Sequence, residues 1–371
     1  MRLGGRQALD SSGLAHTHST CEPFQVITIL GATGSFGRAL TRFLLTHTHA
    51  TLRLFSRDEV KQEQMQHEFA AYDARLRFIL GDIRDLARLN VALYGVDLVV
   101  HAAALKQVPK AEYDPDEYVK TNIYGTQNVI HACQTMHVRT ALFVSSDKAV
   151  EARTLYGNCK AVAQHLWSRA STYDPQGTTY VSLRWGNVHN SRGSVVPRWR
   201  RQLFDCQALT LTHPAMTRFW IGLPDAVQCA WFAAQYGQRG CILVPHLPAY
   251  RVTALAEAVI AEYAPAGLEN VSIASIGIRA AEKLHESLAA DDELATAVTY
   301  TADGVTPLYY AIPPVAPSWA MPPVAAWPAP AGGQWQQTPI EVPYRSDVWS
   351  SRLLVPALRQ RLREAAEPGP G

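Results

Sequence analysis

The chain has 371 residues and a mass of 40.9 kDa, a length that corresponds to about two to three domains or to one large α/β domain with additions. Hydrophobic residues make up 47% and charged residues 18%, which excludes a chain kept disordered by its charge. The formal net charge of +2 gives no strong overall field, so neither nucleic acid nor an anionic membrane is expected as a partner.

The cysteines and histidines favour neither a disulfide framework nor a metal site. Six cysteines are scattered without a CxxC pair, which is typical of reduced, buried thiols in a cytoplasmic protein. The 13 histidines lack ligand spacing toward carboxylates or cysteines. The first residues contain no apolar block of the signal-peptide type, and no apolar run is long enough to cross a membrane. We therefore expect a soluble cytoplasmic protein without a bound metal.

Short apolar runs alternate with segments of helical period from residue 25 onward. The predicted strands lie at 26–30, 51–55, 76–80, 96–103, 140–146 and 179–185. Strands separated by helices predict a doubly wound parallel sheet of Rossmann type, covered on both faces, and thus the α/β class. Beyond residue 186 the alternation weakens, with helical stretches at 225–236, 252–263 and 353–364 and short strands near 241–244 and 272–276.

A glycine-rich turn, GATGSFG, follows the first predicted strand and leads into a helical run over 38–45. Glycines at i, i+3 and i+6 permit a tight turn, close approach to a pyrophosphate and close packing of the helix on the strand, with the helix N-terminus facing the phosphates. The flanking strand and helix favour a dinucleotide site over the alternative, a turn without a ligand. The predicted cofactor contacts in this turn are Gly31, Thr33, Gly34, Ser35, Phe36 and Gly37.

The end of the second strand bears on the choice between NAD and NADP. Ser56 stands where an NAD site usually has an acidic residue, and Arg57 and Lys61 lie nearby, a set that favours the 2′-phosphate of NADP. Asp58 would reverse this preference if its carboxylate faced the ribose. Further predicted contacts are Asp82 and Ile83 at the adenine edge and the small residues Ala102, Ala103 and Ala104 beside the nicotinamide half.

A group of reactive side chains follows the fifth strand. The strand ends in Ser145-Ser146-Asp147-Lys148, and a tyrosine and a lysine follow in the next predicted helix. At the spacing i, i+4 Lys160 shares a helix face with Tyr156, so we expect its ammonium to lower the phenol pKa and to help bind the nicotinamide ribose. Tyr156 is therefore predicted to act as a base toward a substrate hydroxyl.

Nine motifs occur in a fixed order: GATGSFG, SRDEVKQ, AAALKQVPKAEYDP, KTNIYGT, SSDKA, LYGNCK, GNVHNSRGSVVP, THPAMTRFW and IRAAEKLHE. With them the chain resembles the extended short-chain dehydrogenase/reductase family, and within it the inverting UDP-N-acetylglucosamine 4,6-dehydratases of flagellin-glycan and capsule biosynthesis. The resemblance covers about residues 25–286, and the YRSD motif with the last predicted helix fits it too. It implies a UDP-sugar lyase that holds NADP tightly.

The resemblance also implies the roles of individual residues. Tyr156, supported by Lys160, would take the C4 hydroxyl proton as hydride leaves C4 for NADP. Lys148, kept neutral by burial and a nearby cation, would then remove the C5 proton, while a protonated Asp147 donates to the leaving C6 hydroxyl. Hydride returns to C6, and protonation of C5 from the opposite face inverts that centre. Ser146 stands where the family usually has Thr.

Further residues are assigned to the UDP-sugar by the same resemblance. These are Asn187, Ser194 and Val195 in the pocket wall, Arg218 and Arg279 at the diphosphate, Glu282 at the uridine ribose and Lys106 at the sugar. The family's Arg-Pro-Gly-Glu turn is Arg-Ala-Ala-Glu over 279–282, which predicts a different hold on the uridine half. His189 and Asn190 also replace smaller residues.

The chain is expected to divide into five regions: a flexible leader over 1–24, an NADP-binding Rossmann domain over 25–186, a UDP-sugar lobe over 187–306, a Pro-rich insertion over 307–343, and a C-terminal helix and tail over 344–371. The insertion holds ten of the 23 prolines, which is typical of a linker with polyproline II character. Its Trp319, Trp327 and Trp335 recur every eight residues. Packing onto the protein itself is the favoured interpretation, and a partner-binding strip is the alternative.

Other functions remain open at this point. An NADP-dependent UDP-sugar 4-epimerase, or a dehydratase giving a 5,6-unsaturated product, would share Tyr156, Lys160 and the cofactor. A catalytically silent dinucleotide-sensing module would need neither Asp147 nor Lys148. The alternative without a function for these two residues is that they form a surface ion pair. Their place at the carboxyl end of a strand disfavours that interpretation. The helices predicted over 122–136 and 156–171 are expected to pair in a homo-oligomer.

Overall fold

The computed structural model describes residues 23–173, 177–189, 191–267, 270–315, 321–337, 343–349 and 351–365. Its strands are β1 (Val26–Leu30), β2 (Thr51–Ser56), β3 (Leu76–Leu80), β4 (Leu98–His101), β5 (Thr140–Val144), β6 (Thr179–Leu183), β7 (Asn187–Val188), β8 (Leu209–Leu211), β9 (Thr217–Ile221), β10 (Ile242–Pro245), β11 (Ala249–Arg251), β12 (Ile273–Ser275), β13 (Val298–Thr301), β14 (Pro307–Ile312) and β15 (Gln334–Gln336). Its helices are α1 (Ser35–His47), α2 (Glu59–Glu68), α3 (Leu86–Leu93), α4 (Val108–Tyr113), α5 (Pro115–Tyr118), α6 (Gly125–Thr135), α7 (Leu155–Tyr173), α8 (Val195–Phe204), α9 (Leu223–Tyr236), α10 (Val252–Tyr263), α11 (Asp291–Thr296) and α12 (Val355–Glu364).

The first six predicted strands form one parallel sheet. Their order is β3, β2, β1, β4, β5 and β6, and β10 continues it in parallel. All four residues of β4 are buried, as expected for a parallel sheet with helices on both faces. The predicted doubly wound α/β fold is confirmed, and its strand order places a ligand cleft at the carboxyl ends of the strands.

The Pro-rich region contributes strands to the same sheet. Beyond β10 the sheet continues through β14, β13 and β15, all in antiparallel pairs. Pro307 is the first residue of β14, a position where a strand tolerates the missing backbone donor. The last three residues of this strand, Tyr310, Ala311 and Ile312, are buried in the core. The linker description is therefore wrong for β14 and β15.

The tryptophans of this region pack onto the protein itself. Trp327 and Trp335 are buried, and their ring centroids lie 5.7 Å apart in an edge-to-face arrangement. Their indole N–H groups donate to the carbonyl oxygens of Pro322 and Pro328, at 3.1 and 2.9 Å. The packing interpretation is thus confirmed for these two residues, whereas Trp319 lies outside the described residues, as do residues 1–22 of the expected leader.

A second group of elements packs beside the sheet. β11, β9 and β7 form a three-stranded sheet, and β8 pairs with β12. These strands share an apolar core with α8, α10 and α12, centred on buried side chains such as Trp199 and Leu255. The three helices predicted in this half of the chain are present as α9, α10 and α12, each starting within two residues of the predicted start.

Two further expectations concern cysteines and the membrane. Four free cysteines are buried as predicted: Cys133, Cys159, Cys229 and Cys241. Cys206 is exposed instead, in the turn that follows α8, where its φ is 53°. Among the described residues, no helix has both the length and the apolar character needed to span a membrane.

Candidate active site

The glycine-rich turn between β1 and α1 has the predicted shape. Gly31 has a φ of +89°, and a Cβ atom there would lie 2.9 Å from the backbone nitrogen of Ala103. A Cβ atom at Gly37 would lie 2.5 Å from the carbonyl oxygen of Gly31. Any side chain at either position would force the backbone apart. The two glycines therefore let the turn pack against the chain after β4 and leave a backbone cradle at the N-terminus of α1.

A cleft lies at the carboxyl ends of β1, β2 and β4, over this cradle. The predicted residues that line it are Gly31, Thr33, Gly34, Ser56, Arg57, Lys61, Ile83, Ala102, Ala103 and Ala104. The predicted Ser35, Phe36, Gly37 and Asp82 are not among the lining residues, and Phe55, Asp58, Gly81, Thr121 and Arg192 complete the lining. Most of the predicted cofactor contacts thus converge on one cleft.

Two of the lining residues with polar side chains, Thr121 and Arg192, were not predicted from the sequence. The hydroxyl of Thr121 is buried without a hydrogen-bond partner in the described part of the chain, as expected of a group that meets a ligand. Arg192 follows β7, and its backbone N–H donates to Ser35 Oγ at 3.0 Å while its guanidinium donates to the carbonyl oxygen of Thr33. The only sequence signal for Arg192 was its place in the GNVHNSRGSVVP motif. Folding brings this residue to the glycine-rich turn.

Asp58, which would have favoured NAD, caps helix α2. Its carboxylate accepts a hydrogen bond from the Lys61 backbone N–H at 3.0 Å and pairs with the Lys61 ammonium. The hydrogen bonds from Lys61 lower the pKa of Asp58. Beside it, Ser56 Oγ accepts from Gln62 Nε2 at 3.0 Å. A carboxylate engaged by its own helix is less available to a ribose hydroxyl.

Three cations line the same cleft: Arg57, Lys61 and Arg192. The Arg57 guanidinium lies 3.3 Å from the Asp82 carboxylate, and its side chain is 48% exposed. Phosphate groups are the ligands that such guanidinium groups bind best. Together with the backbone cradle and the unpartnered Thr121 hydroxyl, these groups fit a dinucleotide.

Helix α7 brings Tyr156 and Lys160 to the end of β5. Trp167 anchors the helix, because its buried indole N–H donates to carbonyl oxygens of β5 and β6 at 3.3 and 3.1 Å. Lys160 Nζ donates to the carbonyl oxygen of Val144, the last residue of β5, at 2.7 Å. Both predicted side chains are buried, with 7% and 5% exposure.

Burial controls the ionisation of this pair. It raises the pKa of Tyr156 to about 12, although the Lys148 ammonium acts in the opposite direction. It lowers the pKa of Lys160 to about 7. The phenol pKa is therefore raised and not lowered as expected, because desolvation outweighs the attraction exerted by the Lys148 ammonium.

Asp147 and Lys148 lie in a short helical turn, 147–149, directly after β5. Backbone hydrogen bonds of 2.8 and 2.9 Å tie residues 145 and 147 to the chain at the end of β6. Asp147 is fully buried, and Ser146 Oγ donates to its Oδ1 at 2.8 Å. Asp147 and Lys148 are thus not a surface ion pair.

The Lys148 ammonium lies between two buried carboxylates. Its Nζ is 3.1 Å from Asp147 Oδ1 and 3.4 Å from Glu286 Oε1. Burial acts to lower the pKa of Lys148, but the two carboxylates outweigh it and raise the pKa above its usual value. The expectation of a neutral Lys148 is therefore wrong for this structure. Glu286, the last residue of the IRAAEKLHE motif, was not among the predicted site residues.

Arg218 and Glu282, both predicted at the substrate, lie beside this cluster. Arg218 Nη2 is 3.6 Å from Glu282 Oε1, and Nε is 3.9 Å from Glu286 Oε1. The guanidinium also donates to the carbonyl oxygens of Thr217 and Leu284, at 2.7 and 3.1 Å. Arg218 therefore anchors the loop over 279–286 as well as facing the acid/base cluster.

The other predicted substrate residues are more dispersed. Arg279 and Asn187 are exposed, in the 279–282 turn and on β7 respectively. Ser194 precedes α8, where its hydroxyl is buried and unpartnered in the described part of the chain, and Val195 begins that helix. Lys106 is exposed in the loop between β4 and α4.

Two departures from the family pattern have structural consequences. Ala281 has a φ of 61°, the left-handed conformation that favours glycine, so the turn keeps a glycine-like shape with an alanine in it. His189 is buried and stacks on Trp220 with a centroid distance of 3.6 Å. Burial lowers its pKa to about 3, so His189 is a neutral packing residue. Asn190 lies outside the described residues.

A Rossmann sheet with a glycine-rich cofactor turn and a Tyr-Lys helix at the end of β5 defines an extended short-chain dehydrogenase/reductase. Within this class, the chain belongs to the family described as polysaccharide biosynthesis protein, whose model matches residues 27–305.

The curated relatives include proteins named as dehydratases and proteins named as epimerases. The chain is 41% identical over 291 residues to the UDP-N-acetylglucosamine 4,6-dehydratase (inverting) of Campylobacter jejuni subsp. jejuni serotype O:23/36 (strain 81-176), which covers 78% of this chain and 82% of the relative. It is 40% identical over 278 residues to the UDP-glucose 4-epimerase of Rickettsia felis, with 74% and 80% covered.

Solved structures agree with the fold. Pen from Bacillus thuringiensis superposes with a TM-score of 0.78 and 31% identity, covering 92% of this chain and 98% of that one. DesIV, a dTDP-glucose 4,6-dehydratase from Streptomyces venezuelae with NAD and TYD bound, gives a TM-score of 0.60 at 22% identity, with 70% and 86% covered. At that identity, the second likeness concerns the fold alone.

Proposed function

We propose that this chain is a UDP-N-acetylglucosamine 4,6-dehydratase that inverts C5. The observation that carries the proposal is the ion pair of the buried Asp147 with the partly buried Lys148, which stands at the end of β5 beside Tyr156. A 4-epimerase moves a proton at O4 only, so a further acid and base have no task in it. The identity of 41% to a relative named for this reaction supports the choice of substrate and of product.

The first proton to move is that of the C4 hydroxyl. The dinucleotide, when bound, supplies a hydride acceptor. Tyr156 takes the hydroxyl proton, and because burial raises the pKa of the phenol to about 12, positive charge close to it is needed to ionise it. Lys160, with a pKa lowered to about 7, can take up or release a proton near neutral pH.

The loss of water then uses Lys148 and Asp147. Oxidation at C4 gives a ketone, which acidifies the hydrogen on C5. Transfer of the Lys148 proton to Asp147, whose Oδ1 lies 3.1 Å from Nζ, leaves a neutral amine that removes the C5 proton. Asp147 Oδ2 is buried and has no partner among the described residues, so it is the oxygen that can carry a proton to the leaving C6 hydroxyl. With the hydride returned to C6, a proton delivered to C5 from the opposite face inverts the centre.

We propose NADP as the cofactor. Ser56 and the cations Arg57 and Lys61 support this choice, and Asp58 does not oppose it because its carboxylate caps α2. The cytoplasmic location and the homo-oligomer stay predictions.

The test is to incubate the purified protein with UDP-N-acetylglucosamine in heavy water and to analyse the product by mass spectrometry and proton NMR. We expect the loss of one water, deuterium at C5 and an inverted C5 centre. Lys148→Ala should abolish all three changes. Lys110→Ala, at an exposed lysine on α4, is the matched control and should leave them intact.

Two other results would overturn the proposal. An unchanged mass with a C4 epimer as product would establish the 4-epimerase, the activity named for the Rickettsia felis relative. No conversion of UDP-N-acetylglucosamine by folded protein supplied with NADP or NAD would exclude this substrate.

A further inference from the structure

Glu286 is a buried carboxylate without a task in the mechanism above. It is 3% exposed, and its Oε1 lies 3.4 Å from Lys148 Nζ and 3.9 Å from Arg218 Nε. Its Oε2 is buried and has no hydrogen-bond partner in the described part of the chain. The carboxylate therefore faces two cations, and Lys148 faces a second carboxylate in addition to Asp147.

The backbone holds Glu286 in this place. Its N–H donates to Ser346 Oγ at 3.0 Å, and its carbonyl oxygen accepts from the Ser346 N–H at 2.9 Å. Ser346 Oγ also shares a hydrogen bond of 2.7 Å with the hydroxyl of Thr217, the residue before Arg218 on β9. The YRSD segment thus fixes the position from which the Glu286 carboxylate reaches Lys148.

We propose that Glu286 is a positioning residue for Lys148: it holds the ammonium beside Asp147 and sets the lowest pH at which Lys148 can act as a base. The inference rests on the proposed dehydratase function, in which Lys148 removes the C5 proton. An opposite charge within about 4–6 Å shifts a protonation equilibrium by about one to three pH units. Without the Glu286 charge, Lys148 keeps only one carboxylate partner and loses its proton at lower pH.

Other groups around Lys148 must be separated from Glu286 in any test. The ionisable groups that influence Lys148 or are influenced by it are Asp147, Glu286, Arg218, Lys283, Tyr156 and Tyr250. Of these, Arg218 also touches Glu286. Glu282 supplies the matched control, because its carboxylate is 3.6 Å from Arg218 and makes no ion pair with Lys148 in the described part of the chain.

The first experiment measures the ionisation of Lys148 without substrate. The seven lysines of the full chain are labelled by reductive ¹³C-methylation, and Lys148→Arg assigns the Lys148 signal. The signal is followed by NMR from neutral to strongly alkaline pH in the wild type, Glu286→Gln and Glu282→Gln. We expect Glu286→Gln to move the transition of Lys148 about one pH unit or more to lower pH, and Glu282→Gln to leave it close to the wild type.

The second experiment measures deuterium entry at C5 of UDP-N-acetylglucosamine against pH, at saturating substrate. On the acid side of the profile, Glu286→Gln should react about tenfold faster than the wild type at equal pH, since one pKa unit changes the neutral fraction tenfold. Glu286→Asp retains the charge but holds it one methylene further from Lys148, so its profile should lie between those of the wild type and Glu286→Gln. Circular dichroism checks that each variant is folded.

The outcomes separate the two proposals. If folded Glu286→Gln gives the wild-type Lys148 transition, or is slower than the wild type at every pH, the assignment of Glu286 is overturned. If the wild type takes up no deuterium at C5, the dehydratase proposal fails, and the NMR titration still decides whether Glu286 controls Lys148. If Glu286→Gln does not fold, the substrate-free NMR titrations of Glu286→Asp and Glu282→Gln decide: a Lys148 transition moved to lower pH only in Glu286→Asp supports the assignment, and equal transitions contradict it.

Discussion

A Cβ atom at Gly157 would overlap the carbonyl oxygen of Lys148. Helix α7 therefore approaches the turn of Asp147 and Lys148 as closely as two backbones can. Tyr156 is the neighbour of Gly157 on that helix, so the missing side chain sets the separation between the phenol and the acid/base pair.

Gly157→Ala should push α7 away from this turn. We expect kcat to fall about 100-fold, because a displacement of about 1 Å in a catalytic group has an effect of that size. Alanine is the better helix former, which offsets part of the loss in stability. Steady-state kinetics and thermal unfolding of the same samples measure the two effects.

Asn158→Ala is the matched control, since it changes the next, exposed position of the same helix. Its kcat should stay close to that of the wild type. Equal kcat values for the two variants would contradict the close packing of α7 on the Lys148 carbonyl.

Arg192 connects the loop after β7 with the glycine-rich turn and lines the cofactor cleft. We expect its guanidinium to meet the pyrophosphate, which NAD and NADP share. Arg192→Ala should therefore weaken both dinucleotides by about tenfold, the loss of one charge-assisted hydrogen bond. Fluorescence titration with NADPH and NADH measures both affinities.

Arg57→Ala provides the contrast at the other end of the cleft. Because only NADP carries a 2′-phosphate, this variant should weaken NADP more than NAD. Equal losses for both dinucleotides would mean that Arg57 does not meet the 2′-phosphate. If Arg192→Ala lost affinity for NADP only, Arg192 would be the residue that contacts the 2′-phosphate.

The parts of the site that the sequence predicted correctly are local patterns. Gly37 is required by contacts within the turn itself and Gly31 by its positive φ, and the i, i+4 spacing of Tyr156 and Lys160 is set by the helix alone. Each could be recognised from neighbouring residues because each depends only on them.

The ionisation of the site could not be predicted in this way. The charge on Lys148 depends on Glu286, which comes from a distant part of the chain, and the high pKa of Tyr156 depends on how much protein covers it. Long-range pairing likewise explains why the linker prediction failed for β14. The proline-rich composition of this region suggested a linker, but β14 pairs with β10 on one side and β13 on the other. Burial and strand pairing are properties of the folded chain, and composition does not report them.

The turn at Ala281 leads to a prediction about stability. Its φ of 61° is unfavourable for an L-residue by about 1–2 kcal/mol. Glycine would remove this strain, but its greater conformational entropy also stabilises the unfolded chain and offsets part of the gain. We expect Ala281→Gly to raise the free energy of unfolding by about 1 kcal/mol, measured by urea denaturation. Ala280→Gly is the control, because φ at 280 is not left-handed, and it should lower the stability. A loss of stability in both variants would show that the turn at 281 is unstrained.

Lys160 gives the stability of the protein a pH dependence of defined sign. Burial lowers its pKa from an ordinary 10.5 to about 7 in the folded protein. Between these two values the unfolded chain binds more protons than the folded one, so the free energy of unfolding rises with pH, by up to about 1.4 kcal/mol per unit. Below the lower value both states hold the proton, and the contribution of Lys160 is constant.

Lys160→Met removes this titration and keeps the length of the side chain. Without added dinucleotide, the difference in unfolding free energy between the wild type and Lys160→Met should shift in favour of the wild type as the pH rises through this interval. Urea denaturation at a series of pH values measures it, and Lys110→Met, at an exposed lysine, should give a difference that does not change with pH. A difference for Lys160→Met that is equally flat would mean that the folded protein keeps the Lys160 proton, and that an ammonium rather than a neutral amine donates to the Val144 carbonyl.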